Sequence, residues 1–167
     1  MMKILINNKQ KLDKILIKEI KKISIRLVKA LRLPKSSVLS LSFCDDKSIQ
    51  AINKQHRDKD EPTDVLSFPM PRNDFEGGSG SVILGDIVVS VETAQRQANE
   101  LNHSLKSEIA FLIIHGMLHL NGYDHIDDND RVTMSAKEAE LYKMLCRAGL
   151  IHDLFSISSA VISRTEK

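Results

Sequence analysis

Three of the six histidines lie in one short run, from His115 to His125, at a spacing that suits a transition-metal ion. His115 and His119 are four residues apart, so on a helix both imidazoles lie on one face and can reach a single point. His125 can join them if the helix ends at Asn121-Gly122, because glycine tolerates the left-handed conformation of a helix end. Three neutral imidazoles at roughly 2.0–2.1 Å from Zn²⁺ leave a fourth position for water, as in catalytic zinc sites. The run therefore predicts one zinc ion per chain, bound by His115, His119 and His125.

The alternative is that these histidines are core residues satisfied by the protein itself. Residues 109–114, just before the run, are apolar on every side and predict a buried helix. In such a helix an unpartnered imidazole costs roughly 1–3 kcal/mol, and a shared metal ion removes that cost. Three histidines at ligand spacing favour the metal. Zinc is preferred over nickel, copper or iron on ligand type and availability rather than on raw affinity.

Gly116 separates this run from the zinc proteases it partly matches. In the HExxH proteases a glutamate follows the first histidine and takes a proton from the zinc-bound water, whereas glycine stands there in this chain. Peptide hydrolysis would need a base from elsewhere. A zinc peptidase or amidase with a displaced base remains an alternative, but a less favoured one.

Length and composition predict one cytoplasmic domain. The chain has 167 residues, with neither the apolar stretch of a signal peptide at its start nor an apolar run long enough to span a bilayer. Cys44 and Cys146 lie far apart without a neighbouring cysteine, which predicts two buried free thiols in a reducing compartment.

The first 35 residues are strongly basic. They hold eleven lysines and arginines against two acidic residues, a local charge of +9, and the basic side chains alternate with apolar ones at helical intervals. This pattern predicts an amphipathic helix with a basic outer face. A solvated stripe without a partner and an anionic membrane surface remain alternatives to nucleic acid. The candidate contacts to nucleic-acid phosphates are Lys14, Lys18, Lys21, Lys22 and Lys29.

Hydrophobic periodicity and helix-start signals give the remaining elements. They predict strands at 38–43, 65–68 and 82–91, and helices beginning near 11, 45, 92, 105 and 127. The order αβαββααα is typical of an α/β or α+β fold, here a compact sheet covered by helices. Residues 1–155 form the expected single domain, and 156–167 are expected to be a flexible tail.

A second constellation surrounds the second predicted strand, 65–68. Arg57 and Asp64 bracket a constrained loop leading into that strand, and active-site groups are common at such junctions. With its neighbours, this chain resembles the YbeY family of bacterial endoribonucleases and ribosomal RNA maturation factors. The resemblance is carried by residues 53–57 with 62–69, by 84–87 and by 115–125, in the family's order. One departure is His56, where many relatives carry tyrosine.

The resemblance implies a fold and an activity. It implies an α/β fold around a small mixed sheet, zinc held by the three histidines, and Arg57 facing the metal cleft. It also implies cleavage of single-stranded RNA, processing of the 3′ end of small-subunit ribosomal RNA, and ribosome quality control. The implied partners are therefore single-stranded RNA, ribosomal RNA and the small ribosomal subunit.

These expectations assign different roles to the zinc ion and to Arg57. Zinc can polarise a phosphoryl oxygen or activate water, while a guanidinium can bind the phosphate through two parallel hydrogen bonds. Asp86 and Asp124 are candidates to orient an imidazole through its second ring nitrogen. The sequence names neither the general base nor the oligomeric state. A non-catalytic ribosome-assembly factor with a zinc site remains a further alternative.

Overall fold

The computed structural model describes residues 2–71, 81–124 and 127–152. In chain order its elements are β1 (Lys3–Asn8), α1 (Lys14–Ala30), β2 (Val38–Cys44), α2 (Asp46–Arg57), β3 (Val65–Pro69), β4 (Ile83–Ser90), α3 (Val91–Glu100), α4 (Leu105–Leu120) and α5 (Asp128–Arg147). The predicted α/β class, a small mixed sheet covered by helices, is confirmed. The expected tail, 156–167, lies outside the described residues.

The sheet has the strand order β1-β2-β4-β3. β1, β2 and β4 run parallel, and β3 pairs with β4 in the antiparallel sense. β2 and β4 are interior strands, which agrees with their nearly continuous apolar sequences. The prediction that the segment 82–91 lies at the centre of the sheet is confirmed, and β3 forms one edge.

The first element, β1, is a strand that was not predicted from the sequence. Lys3–Asn8 pairs with β2, so the predicted order αβαββααα lacks its first element. Its side chains alternate between exposed and half-buried, but Leu5 on the outer side is itself apolar and 55% exposed. An apolar residue on both sides of the strand hides the period of two on which strand prediction relies. The basic helix is correspondingly shorter than expected and begins at Lys14.

Two apolar clusters lie on opposite faces of the sheet. On one face Leu41 and Ile87 belong to the large core formed with α1 and α4, and α5 packs over those two helices. On the other face Leu66 and Val88 pack with Ile49 of α2. Because neighbouring residues of a strand point to opposite faces, Ile87 and Val88 serve different cores. The fold therefore places α4 and α2 on opposite sides of β3 and β4.

Three helices begin where the sequence predicted, each at a capping side chain. Asp45 accepts a hydrogen bond from the backbone N–H of Ser48 (2.8 Å), and Ser104 accepts one from that of Ser107 (3.2 Å). Asp127 caps α5 in the same way. Each cap satisfies a backbone donor that the helix cannot satisfy itself. The predicted starts of α2, α4 and α5 are confirmed.

The cysteines agree only in part with the prediction. Both are free thiols, but Cys44 is buried while Cys146 is half-buried. Burial raises the pKa of the Cys44 thiol to about 11, so it stays protonated and unreactive at neutral pH. Among the described helices, none is long and apolar enough to cross a membrane.

Gly116 lies where α4 packs closely against the sheet. A Cβ atom added there would lie 2.9 Å from Cδ1 of Ile87 and 3.1 Å from its Cγ atoms. Ile87 is fully buried, and its branched side chain has little freedom to move away. Glycine at 116 is therefore explained by packing, since any side chain there would enter the space of Ile87.

We expect Gly116→Ala to lower the free energy of unfolding by about 1 kcal/mol. Overpacking costs about 1–3 kcal/mol, which outweighs the helix propensity of about 1 kcal/mol that alanine adds. Ile87→Val removes the crowded Cδ1 and alone costs about 0.5–1.5 kcal/mol. Chemical denaturation of both single variants and the double variant should show that the two losses are less than additive. Strictly additive losses would show that Gly116 is not constrained by Ile87.

Candidate metal centre

Two histidines of α4 converge on one point. The Nε2 atoms of His115 and His119 lie 3.1 Å apart, and their ring centroids are separated by 4.6 Å. Both residues are half-buried, while their neighbours in the helix are almost all buried. The four-residue spacing thus brings both imidazoles to the same side of α4, as predicted, at a position that solvent can reach.

The end of α4 turns the chain back as the sequence predicted. The last helical residue is Leu120, and Gly122 adopts the left-handed conformation with φ of 84°. The backbone N–H of Gly122 donates to the carbonyl of His119 (3.0 Å), and that of Tyr123 to Leu118 (3.1 Å). This pair of bonds is the Schellman motif, which closes a helix and reverses the chain. The predicted third ligand, His125, lies outside the described residues.

Glu138 contacts the histidine pair from α5. Its Oε1 lies 2.7 Å from Nδ1 of His115, and its side chain is only 7% exposed. Glu138 is not among the site residues predicted from the sequence. A signal was present, since Glu138 takes a position in α5 where Met134, Leu141 and Leu145 supply the buried face. An acidic residue in the apolar stripe of a helix indicates a buried partner.

The two imidazoles fit a zinc ion. Two nitrogens bound tetrahedrally at roughly 2.0–2.1 Å would be separated by about 3.3 Å. The observed separation of 3.1 Å is close to that value. Without an ion, the same distance suits a hydrogen bond between the rings. No cluster of three or more metal-binding side chains occurs within the ranges that the structure describes, which exclude His125.

The two predicted orienting aspartates lie in different places. Asp86 is exposed on β4, on the sheet face shared with Val88, and makes no hydrogen bond to His115 or His119. Asp124 is half-buried just after the end of α4. It lines a cavity of about 210 Å³, whose other lining residues are Asn121, Gly122, Tyr123, Asp130 and Thr133. Around His115 the position expected of an aspartate is taken by Glu138.

Arg57 is the last residue of α2 and is exposed. Within the part of the chain that the structure describes, its guanidinium has no hydrogen-bond or ion-pair partner. Asp58 next to it ends the helix in the left-handed conformation, with φ of 58°. Asn53 then fixes the following loop through a 2.9 Å hydrogen bond to the carbonyl of Glu61. Arg57 therefore stands at an ordered helix end with its donors available to an anion.

The start of α2 is fixed to the start of α3. The carboxylate of Asp46 accepts hydrogen bonds from Ser90 (2.5 Å), Thr93 (2.7 Å) and Arg96 (2.8 Å). Burial alone would raise the pKa of Asp46, but these bonds outweigh it and hold the pKa below its ordinary value. The helix that presents Arg57 is thus anchored at its far end.

The predicted basic face of α1 is confirmed as an exposed surface. All five candidate lysines are exposed, and the helix buries its opposite side through Ile20, Ile23 and Leu27. Lys22 is paired with Glu19 at 2.8 Å. Since α1 packs against α4, the lysines lie on the same side of the sheet as the histidine pair.

Fold and site together define a mixed-sheet α/β domain with a candidate metal centre on a buried helix. The model of the YbeY family, described as endoribonuclease YbeY, matches residues 4–146. The chain belongs to the YbeY family.

Two relatives that match this chain are each named endoribonuclease YbeY. The endoribonuclease YbeY of Geobacter metallireducens is 38% identical over 152 residues, covering 90% of this chain and 100% of the relative. That of Pelotomaculum thermopropionicum is 49% identical over 104 residues, covering 62% of this chain and 68% of the relative. The fold is also similar to the solution structure of a Thermotoga maritima protein, with a TM-score of 0.55 and 27% identity over 89% of this chain and 91% of that one.

We expect the protein purified without added metal to contain about one zinc ion per chain. His119→Ala should lose the ion and melt at a lower temperature, because metal binding contributes to folding stability. His152→Ala, at an exposed histidine, is the matched control and should keep both properties. Elemental analysis with thermal denaturation checks this. A folded wild-type protein that neither contains zinc nor responds to added zinc would contradict it.

Proposed function

We propose that this protein is a zinc-dependent endoribonuclease that cleaves single-stranded RNA. Its expected setting is the cytoplasm, in processing the 3′ end of small-subunit ribosomal RNA and in ribosome quality control. The main support for this proposal is that the Nε2 atoms of His115 and His119 lie 3.1 Å apart in a chain that belongs to the YbeY family. Three histidines, including His125, would hold the zinc ion. When bound, zinc supplies a Lewis acid for the phosphodiester.

Arg57 is suited to bind the reacting phosphate. A guanidinium stays charged at every physiological pH and can donate two parallel hydrogen bonds to phosphate oxygens. Arg57 has no competing partner among the described residues and ends a helix anchored at its other end. As charge grows on the phosphorus oxygens in the transition state, these bonds strengthen. Arg57 therefore stabilises the transition state more than it holds the ground state.

The two parts of the site flank the same edge strand. α4, with its histidines, packs against β3 from one face, and α2, which ends at Arg57, packs against β3 from the other. β3 is at the edge of the sheet, so an extended strand of RNA can pass around it without entering the core. A flexible single strand suits this path better than a rigid duplex does.

A peptidase is disfavoured by the packing of Gly116. The residue that follows the first histidine in zinc proteases supplies the base, and here that position faces Ile87 of β4 with no space for a side chain. A ribosome-assembly factor without catalysis is the second candidate, and the exposed basic face of α1 favours RNA binding in either case. Cleavage of RNA by the purified protein distinguishes the two.

We expect Arg57→Ala to fold and bind zinc normally but to cleave single-stranded RNA about 100- to 1,000-fold more slowly. Losing one preorganised donor to the transition state has an effect of this order. Arg57→Lys should recover only part of the rate, because an ammonium lacks the paired donors of a guanidinium. Lys59→Ala, an exposed cation two residues further on, serves as control. Wild-type turnover in Arg57→Ala would remove this residue from the mechanism.

We expect the basic face of α1 to contribute a salt-sensitive and sequence-independent part of RNA affinity. Lys14, Lys18 and Lys21 make no ion pair with any other described residue, so their charges are available to phosphates. Changing all three to glutamine should flatten the log–log dependence of affinity on salt by about 2, at about 0.7 per contact on single strands. Lys47→Gln on α2 should leave the slope unchanged. An unaltered slope in the triple variant would show that the lysines are a solvated surface.

A further inference from the structure

Glu138 is an unusual residue for its place in α5. It is 5% exposed and lies among Met134, Leu141 and Leu145, which face the core. An ionised carboxylate loses its hydration on burial, and the loss is offset only by close hydrogen-bonded partners. Replacing such a buried pair by apolar residues of similar volume is often neutral or stabilising. Its presence therefore indicates a role that an apolar side chain could not fill.

The contact with His115 determines how that imidazole can act. The distance of 2.7 Å between Oε1 and Nδ1 is typical of a strong hydrogen bond to a carboxylate. Because an ionised carboxylate only accepts hydrogen bonds, the proton of a neutral His115 must lie on Nδ1. Nε2 is then left with a lone pair, and it is the Nε2 atom that faces His119 at 3.1 Å.

A second buried histidine of the chain shows the contrast. His103 also lies beside a buried carboxylate, with Nε2 3.0 Å from Oε2 of Glu108. Its other nitrogen, Nδ1, lies 3.1 Å from the carbonyl oxygen of Ser104. Both ring nitrogens of His103 thus face oxygens of the protein itself. In His115, by contrast, Nδ1 contacts the carboxylate of Glu138, whereas Nε2 points to the imidazole of His119.

We propose that Glu138 is the positioning residue of the metal centre, fixing the His115 ring and its tautomer so that Nε2 is directed at a divalent cation. This inference rests on the metal site proposed above and adds a residue of α5 to it. A hydrogen-bonded carboxylate also makes the imidazole a stronger donor, and removing such partners typically weakens metal binding 10- to 100-fold. Glu138 touches neither RNA nor the ion and acts only through His115.

The test compares Glu138→Met, Glu138→Gln and wild type in full-length protein, with Zn²⁺ affinity measured by competition with a chromophoric chelator. Glu138→Met keeps the side-chain size but removes the acceptor, so affinity should fall 10- to 100-fold. The melting temperature of the metal-free protein should fall only modestly, because removal of a buried carboxylate partly offsets the lost partner of the half-buried His115. Glu138→Gln retains an acceptor oxygen and should lose less. Glu140→Met changes a residue of α5 whose side chain is 64% exposed, and it should change neither quantity.

If Glu138 served only to hold α4 and α5 together, its replacement would affect stability but not Zn²⁺ affinity. Glu138→Met would then melt at a lower temperature and bind Zn²⁺ with wild-type affinity, which would overturn the proposal. Should Glu138→Met fail to fold, wild-type affinity in Glu138→Gln together with an unchanged visible spectrum of its Co²⁺ form would overturn it. A wild-type chain that binds no Zn²⁺ would remove both the site and this inference. Zinc binding as expected without RNA cleavage would refute only the proposed function.

Discussion

The structure depends on how the buried helix α4 accommodates the imidazoles of His115 and His119. This helix packs against β3, β4, α1, α3 and α5, and most of its residues are fully buried. A helix so placed has to be apolar all round, and a polar side chain is tolerated only where it finds a partner. His115 and His119 meet this condition together, because each ring lies against the other and Glu138 takes the remaining nitrogen of His115. The packing of α4 therefore shapes both the core of the fold and the candidate metal centre.

Close packing on both sides of α4 sets the position of the histidines. On the sheet side Gly116 allows the backbone to approach Ile87, and on the other side α5 brings Glu138 to His115. A shift of either contact would move the imidazoles relative to the edge strand. On the opposite face of the sheet, Asp46 fixes the start of α2, whose last residue is Arg57. Two rigid helices thus present the proposed cation site and the proposed phosphate ligand on either side of β3.

Local patterns predicted most of the fold because each is decided within a few residues. Ser104 and Asp127 cap their helices, and Gly122 ends α4, as the sequence indicated. The first strand escaped because Leu5 places an apolar residue on the exposed side, where period-two analysis expects a polar one. Its assignment depends on pairing with β2, a contact more than thirty residues away in the chain.

The sequence predicted the part of the candidate site that depends only on the spacing of residues along one helix. His115 and His119 are brought together by one turn of helix, which the sequence specifies directly. Glu138 comes from another helix, and only the packing of α5 on α4 reveals its contact. For the same reason Asp86, prominent in the sequence, lies on the sheet face away from α4. Long-range packing determines which acidic residue meets which histidine, and no local pattern encodes it.

The most direct test of the central claim is zinc K-edge X-ray absorption of the zinc-loaded, full-length protein. The account predicts a four-coordinate shell of nitrogen and oxygen at about 2.0–2.1 Å, with multiple-scattering features of three imidazoles and one oxygen ligand. A sulfur ligand at about 2.3 Å would place zinc at a cysteine instead. A six-coordinate oxygen shell without imidazole scattering would show an ion bound elsewhere, and either result would contradict the account.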